Sequence, residues 1–171
     1  MDSYLLVLRV LHIVGGILWA GGGVAAAGFI NPTAKELKGD AAAFMAHFNY
    51  VRRFPLFLGI VGFINVVTGV LLYYRLFGDQ IAWGSGYTIA LTLGSLFGLI
   101  ALGMALGMLL PTGNKLEKLV KEIGASGGPP SPEQAGQIAA MQGKLMRWAV
   151  WVTTLTVLGG TLMAANEAFL F

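Results

Sequence analysis

Four long runs without a charged residue constrain this chain more than any other feature. Each run reaches or exceeds the ~20 residues that a helix needs to cross the ~30 Å hydrocarbon core of a bilayer. The runs are too long and too uniformly apolar for the strands of a membrane barrel, so they predict transmembrane helices. They are Val10–Ala34, Phe54–Tyr74, Gln80–Asn114 and Trp148–Asn166.

The composition agrees with a membrane protein. Hydrophobic residues make up 56% of the 171 residues and charged residues only 11%, whereas a soluble domain has about 25% charged residues. We predict an all-α, four-transmembrane-helix bundle forming a single domain, residues 1–171. The expected spans are about 4–30, 54–77, 87–110 and 147–170, with loops 31–53 and 111–146. The first run has no basic region before it and is too long for a secretory signal, so we interpret it as a span.

The basic residues predict an orientation. Lys35, Lys38, Arg52 and Arg53 lie between spans 1 and 2, and Lys115, Lys118, Lys121, Lys144 and Arg147 lie between spans 3 and 4. Only Arg9 and Arg75 fall on the other side, so the positive-inside rule places both long loops in the cytoplasm and both termini outside. We therefore expect an integral membrane protein with the lipid bilayer as its first partner. Basic residues in loops, rather than on one face, argue against nucleic-acid binding.

Local signals predict where the helices begin and end. Asn31-Pro32 is expected to stop span 1, and Pro111 to bend or end span 3. Asp40 is a candidate N-cap for an amphipathic segment leading into span 2. Ser131 as N-cap, Pro132 at the first helical position and Gln134 at the capping-box position predict the start of the last helix, which nothing interrupts up to Phe171. Helices 3 and 4 are thus expected to extend into the cytoplasm as an antiparallel hairpin.

His12 is the one histidine at membrane depth, because His47 falls in the first cytoplasmic loop. An ionisable residue within a span is by default a hypothesis for a functional site. Two interpretations stay open: a neutral histidine bonded to a facing helix, or a ligand of haem iron or copper. Asn65, in the middle of span 2, is expected to form a hydrogen bond to another helix. About 20 Å separates His12 from His47 along the membrane normal, so one subunit cannot hold a bis-histidine haem.

Arg9 and Glu167 are the charged residues closest to His12 in depth. Arg9 is three residues before His12 and shares its helix face, and Glu167 lies near the outer end of span 4. Arg9 and Glu167 are expected to pair, since an unpaired charge at this depth is costly. A structural ion pair explains them fully. The alternative is that Glu167 orients His12 as a ligand or proton carrier.

A resemblance adds to these expectations. The pattern Leu11-His12, Trp19-Ala20-Gly21-Gly22, Phe29, Pro32 and Arg52-Arg53 resembles the four-helix membrane proteins grouped with the copper-resistance CopD-like domains. The single early histidine is also similar to that of the HemJ-like protoporphyrinogen oxidases. The resemblance implies a bacterial inner-membrane protein that handles copper or haem. Span 3 has no lysine, which the HemJ-like enzymes use, and no methionine or histidine cluster lies near the outer surface.

The sequence leads to one hypothesis and two alternatives. The hypothesis is a cofactor site formed by His12, Trp19, Arg9 and Glu167, with His12 as the ligand of haem b or copper and a redox or metal-handling role. The second is a non-catalytic subunit without a cofactor, which packs against membrane-protein partners or a second copy through its glycine faces. The third is a porphyrin-type membrane oxidase. No nucleophile arrangement or phosphate-binding loop is present, so enzymatic activity is left open.

Overall fold

The computed structural model describes residues 3–37, 44–45, 47–78 and 86–165. This part of the chain is helical and contains no strand. Three π-helical turns interrupt the α-helices, and we number them in chain order. The elements are α1 (Ser3–Ala25), π1 (Ala26–Ile30), α2 (Asn31–Glu36), π2 (His47–Val51), α3 (Phe54–Phe77), α4 (Gly86–Met104), π3 (Ala105–Leu109), α5 (Leu110–Ser126) and α6 (Pro132–Ala164).

Four helical stretches are long and apolar enough to cross a membrane. The prediction of four apolar helices is therefore confirmed at the level of length and composition. The stretches are Ser3–Ala34, His47–Arg75, Thr88–Ser126 and Pro132–Ala164. Most of their large apolar side chains are exposed in the isolated chain.

The long helices form a closed ring of contacts. Helix α1 packs along α3 and α4 along α6, and these are the two extensive interfaces; α1 also contacts α6, and α3 contacts α4. Small residues permit the close approaches. A Cβ atom at Gly22 would lie 2.5 Å from Leu58 on α3, and one at Gly23 would lie 2.5 Å from Thr153 on α6. On α4, a Cβ atom at Gly94 would lie 2.8 Å from Met163 on α6, whereas one at Gly98 or Gly103, or at Gly107 in π3, would meet nothing within 4 Å.

The arrangement has an approximate twofold repeat that is also visible in the sequence. Exchanging α1 with α4 and α3 with α6 maps the two extensive interfaces onto each other, and likewise the two smaller ones. The segment Ala26-Ala27-Gly28-Phe29-Ile30-Asn31-Pro32-Thr33 matches Ala105-Leu106-Gly107-Met108-Leu109-Leu110-Pro111-Thr112 at alanine, glycine, a branched apolar residue, proline and threonine. Arg53-Phe54 with Phe57 likewise corresponds to Arg147-Trp148 with Trp151. The fold is therefore two related helix pairs.

Neither internal proline stops its helix, which corrects the prediction for Asn31-Pro32. Helix α1 continues through π1 into α2, and α4 continues through π3 into α5. In both cases the proline is the second residue after the π-helical turn. A proline ring in a regular helix clashes with the carbonyl four residues earlier, and a wider turn just before it relieves this clash.

The other helix boundaries agree with the sequence signals. Ser131 caps α6: its hydroxyl accepts the Gln134 N–H at 3.2 Å and its own N–H is bonded by the Gln134 side chain at 2.9 Å, which confirms the predicted capping box. Helix α6 is 33 residues long, or about 50 Å. It contacts α5, to which Gly127–Ser131 connects it. The predicted N-cap Asp40 lies outside the described residues.

Candidate functional site

His12 and Asn65 form a reciprocal pair of hydrogen bonds between α1 and α3. The ring nitrogen Nδ1 of His12 lies 2.9 Å from the main-chain oxygen of Asn65. The side-chain nitrogen Nδ2 of Asn65 donates to the main-chain oxygen of His12 at 2.6 Å. The prediction that Asn65 bonds to another helix is confirmed. His12 is likewise bonded to a facing helix, a contact that both interpretations of this residue allow.

These contacts define which nitrogen of His12 carries a proton. A carbonyl oxygen can only accept, so Nδ1 must be the donor in the bond to Asn65. Nδ2 of Asn65 also lies 3.3 Å from Nδ1 of His12. Because both nitrogens then act as donors, we do not interpret this approach as a third hydrogen bond. In the neutral ring the lone pair is consequently on Nε2. No hydrogen bond to Nε2 is present within the described part of the chain, and the His12 side chain is half-buried.

Glycines shape the space around this pair. A Cβ atom at Gly69 would lie 2.8 Å from Cε1 of His12, and one at Gly15 would lie 3.3 Å from Cβ of Asn65. The imidazole therefore fits against α3 only because residue 69 has no side chain, and Gly15 and Gly16 permit the close approach of Asn65 to α1. Thr68 adds a further bond, because its hydroxyl donates to the Ile64 oxygen at 2.7 Å and the Asn65 oxygen at 3.0 Å. The acceptor of the His12 bond is thus shared with a hydroxyl.

Trp19 lies two turns from His12 along α1, in the same interface with α3. It is 6% exposed and belongs to the buried cluster with Val61, Ala101 and Val152. A Cβ atom at Gly62 would lie 2.6 Å from Cε2 of its indole. The structure thus gives Trp19 a packing role, and its contact with a cofactor stays a prediction.

The structure does not decide the predicted Arg9–Glu167 pair. Arg9 is exposed on α1, and no described carboxylate forms an ion pair with it. Glu167 lies outside the described residues. The pairing and the orienting role of Glu167 therefore stay predictions.

The described residues contain no group of three or more His, Cys, Asp and Glu side chains that could hold a metal ion. A polar depression of about 310 Å³ on α5 is lined by Asn114, Glu117, Lys118, Lys121 and Glu122. Its carboxylates pair with lysines four residues away on the same helix, which is ordinary for a solvated helix face.

Sequence reasoning named His12 and Asn65 separately but did not join them, and it missed Gly69. The signal for Gly69 was its place one turn after Asn65, the spacing that lets a ring bonded at residue 65 lie over residue 69. No protein-family model, curated protein or solved structure matches this chain. Any statement about function therefore rests on the residues of this chain and their geometry.

Proposed function

We propose that this chain is a bacterial inner-membrane protein that binds a haem through Nε2 of His12. The observation that carries the proposal is the bond from Nδ1 of His12 to the Asn65 oxygen. Histidines that ligate a metal typically donate their other ring N–H to a carbonyl or carboxylate, which fixes the tautomer and the ring orientation. Here that condition is met, and Nε2 is the nitrogen left to bind.

The orientation supports a site near the periplasm. The basic residues of loops 31–53 and 111–146 favour a cytoplasmic position for both loops. Helix α6, at about 50 Å, exceeds the ~30 Å of hydrocarbon, which favours a projection of α5 and the start of α6 into the cytoplasm. His12 then lies in the half of the bilayer that faces the periplasm, as do both termini.

The donor set favours haem over a free copper ion. Copper bound by protein alone needs several ligands, and the described residues place only one imidazole at this point. A haem supplies four nitrogens of its own and needs one axial ligand from the protein. Such a group would provide one-electron redox chemistry or a coordination position for a small molecule. The chain's own contribution is to hold His12 against α3, through Asn65 and Gly69, with Nε2 available.

The test is haemin titration of the purified protein in detergent, followed by absorption spectroscopy. His12→Asn is the decisive variant because its amide nitrogen can replace Nδ1 as donor to the Asn65 oxygen but has no counterpart of Nε2. We expect the wild type to develop a Soret band that saturates at one haem per chain. His12→Asn should lose that band while keeping its helical circular dichroism. His47→Ala, which changes the exposed histidine of π2, is the matched control and should behave as the wild type.

Two results would contradict the proposal. One is a Soret band of equal intensity and stoichiometry in wild type and His12→Asn. The other is a wild-type protein that takes up no haemin although it is folded and monodisperse. In the second case His12 and Asn65 serve only to join α1 and α3.

A second candidate is a non-catalytic subunit of a larger membrane assembly. The observation that favours it is the exposed pair Gly103, near the end of α4, and Gly107, in π3, where an added Cβ would meet nothing within 4 Å. Small residues four apart permit close approach of another transmembrane helix. This candidate predicts that Gly103→Leu or Gly107→Leu releases a co-purifying membrane protein, whereas Gly59→Leu on α3, also without a neighbour, does not.

A further inference from the structure

The strongest unexplained feature is the matched pair of π-helical turns before Pro32 and Pro111. Both turns are five residues long, both contain a central glycine, and both lie where the sequence repeat aligns α1 with α4. A π-helical turn inside an α-helix is rare and frequently marks a functional point. Interrupted helices at corresponding positions in two halves are also typical of membrane proteins that change shape. These turns are independent of His12, which is several turns away.

Each turn leaves at least one main-chain carbonyl without its regular backbone donor. The Asn31 N–H bonds to the Ala26 oxygen, and the Leu110 N–H bonds to the Ala105 oxygen. The next oxygen, that of Ala27 or Leu106, would then need the N–H of Pro32 or Pro111, which proline lacks. A helix with a missing bond at one turn bends there more easily than elsewhere.

Packing restrains the two sides of each turn differently. On the His12 side of the turns, α1 is joined to α3 by the His12–Asn65 bonds. On the same side, α4 packs closely on α6, since a Cβ atom added to Gly94 would lie 2.9 Å from the Gly159 oxygen. At the turns themselves, a Cβ atom added to Gly28 or Gly107 would meet nothing within 4 Å. Bending toward that side therefore meets no side chain of the described chain.

Helix α6 is the fixed element beside both turns. It contacts both π1 and π3, it has no proline after Pro132, and it runs as one α-helix from Pro132 to Ala164. Beside π1, the hydrogen bond to α6 is weak, because the Asn31 side-chain amide donates to the Met146 sulfur at 3.4 Å. Thioether sulfur is a weak acceptor, so this bond can be exchanged at little cost.

We propose that π1 and π3 are paired hinges, about which α2 and α5 swing relative to α6 while the His12 half of the helices stays fixed. The movement opens and closes the bundle at the end that holds Pro32 and Pro111. The interface of α5 with α6 and the contact of Asn31 with Met146 are the ones that part.

Distances between spin labels measured by pulsed EPR in nanodiscs test the proposal, and the chain has no cysteine to remove. Cysteine pairs at Ile100 with Val120, across π3, and at Gln137 with Val157, along α6, each span about 30 Å on a straight helix. All four positions are exposed. We expect the distance distribution across π3 to be at least about twice as wide as the one along α6. A pair at Ile17 and Glu36, across π1, should be similarly wide.

Variants separate a hinge from simple fraying of α5. Pro111→Ala with Gly107→Ala restores an N–H and removes a flexible residue, so it should narrow the Ile100–Val120 distribution to the width seen on α6. Pro55→Ala, which changes the proline in the first turn of α3 where no donor is missed, should leave that width unchanged. The proposal is wrong if the distribution across π3 is as narrow as that along α6 in the unmodified background. It is also wrong if the double variant folds and stays as broad.

Discussion

Gly62→Ala is the substitution whose effect follows most directly from the structure. Residue 62 lies on α3 where the indole of Trp19 packs flat against the backbone. An added Cβ would lie 2.6 Å from Cε2 and 2.9 Å from both Cδ2 and Nε1 of Trp19. The ring is 6% exposed and belongs to the buried cluster, so it cannot turn away without displacing other side chains.

The magnitude can be worked from two opposing terms. Relieving the overlap requires a shift of about 0.9 Å to reach ordinary carbon contact, and such overpacking typically costs about 1–3 kcal/mol. Alanine favours the helix over glycine by up to about 1 kcal/mol. Gly59→Ala lies one turn earlier on α3, where no atom lies within 4 Å of the added Cβ. It should therefore show only the gain in helix propensity, without the cost of overpacking. The two variants should thus differ by about 1–3 kcal/mol in the free energy of unfolding.

The assay is reversible unfolding in mixed micelles with increasing SDS, followed by circular dichroism. We expect Gly62→Ala to unfold at lower SDS than the wild type, and Gly59→Ala at the same or higher SDS. A Gly62→Ala protein as stable as Gly59→Ala would refute the reasoning, because it would mean that α1 and α3 are not in contact through Trp19 and Gly62.

Four further predictions use the same unfolding measurement. Asn65→Leu removes the bond to the His12 oxygen and should cost about 0.6–1.7 kcal/mol, as interhelical bonds in membranes do; an unchanged stability would show that the bond is not formed. Ser131→Ala removes the capping box of α6 and should cost about 1 kcal/mol, whereas the neighbouring exposed Ser126→Ala, at the end of α5, is expected to cost less. Gly127→Ala should cost about 1 kcal/mol because φ at Gly127 is +69°, a conformation that alanine disfavours. Arg53→Gly, with φ of +52°, should instead be neutral or stabilising, and the opposite order would contradict the assigned backbone.

Much of the fold was predictable because it depends on local properties of the sequence, namely the length of each apolar run and the capping residues at the helix ends. The four apolar stretches follow from run length, and the start of α6 follows from Ser131, Pro132 and Gln134. The two internal prolines were predicted less well. Whether a proline ends a helix depends on whether the turn before it can widen into a π-helical turn. The amino-acid composition of that turn does not show whether it will widen. The repeat of Ala26–Thr33 in Ala105–Thr112 was a usable signal that both prolines have the same structural role.

The candidate site was also predictable in part from the sequence and decided in part only by the tertiary structure. The sequence by itself determined that His12 and Asn65 are polar groups within apolar helices, and that lipid would give neither of them a partner. Only the tertiary structure decided that they bond to each other. That choice depends on which helices are neighbours and on their register, because a shift of one residue would move Asn65 about 100° around its helix. Glycines at positions 62 and 69 fix that register, since only a residue without a side chain fits against the indole and the imidazole, and Gly15 and Gly16 permit the close approach of Asn65.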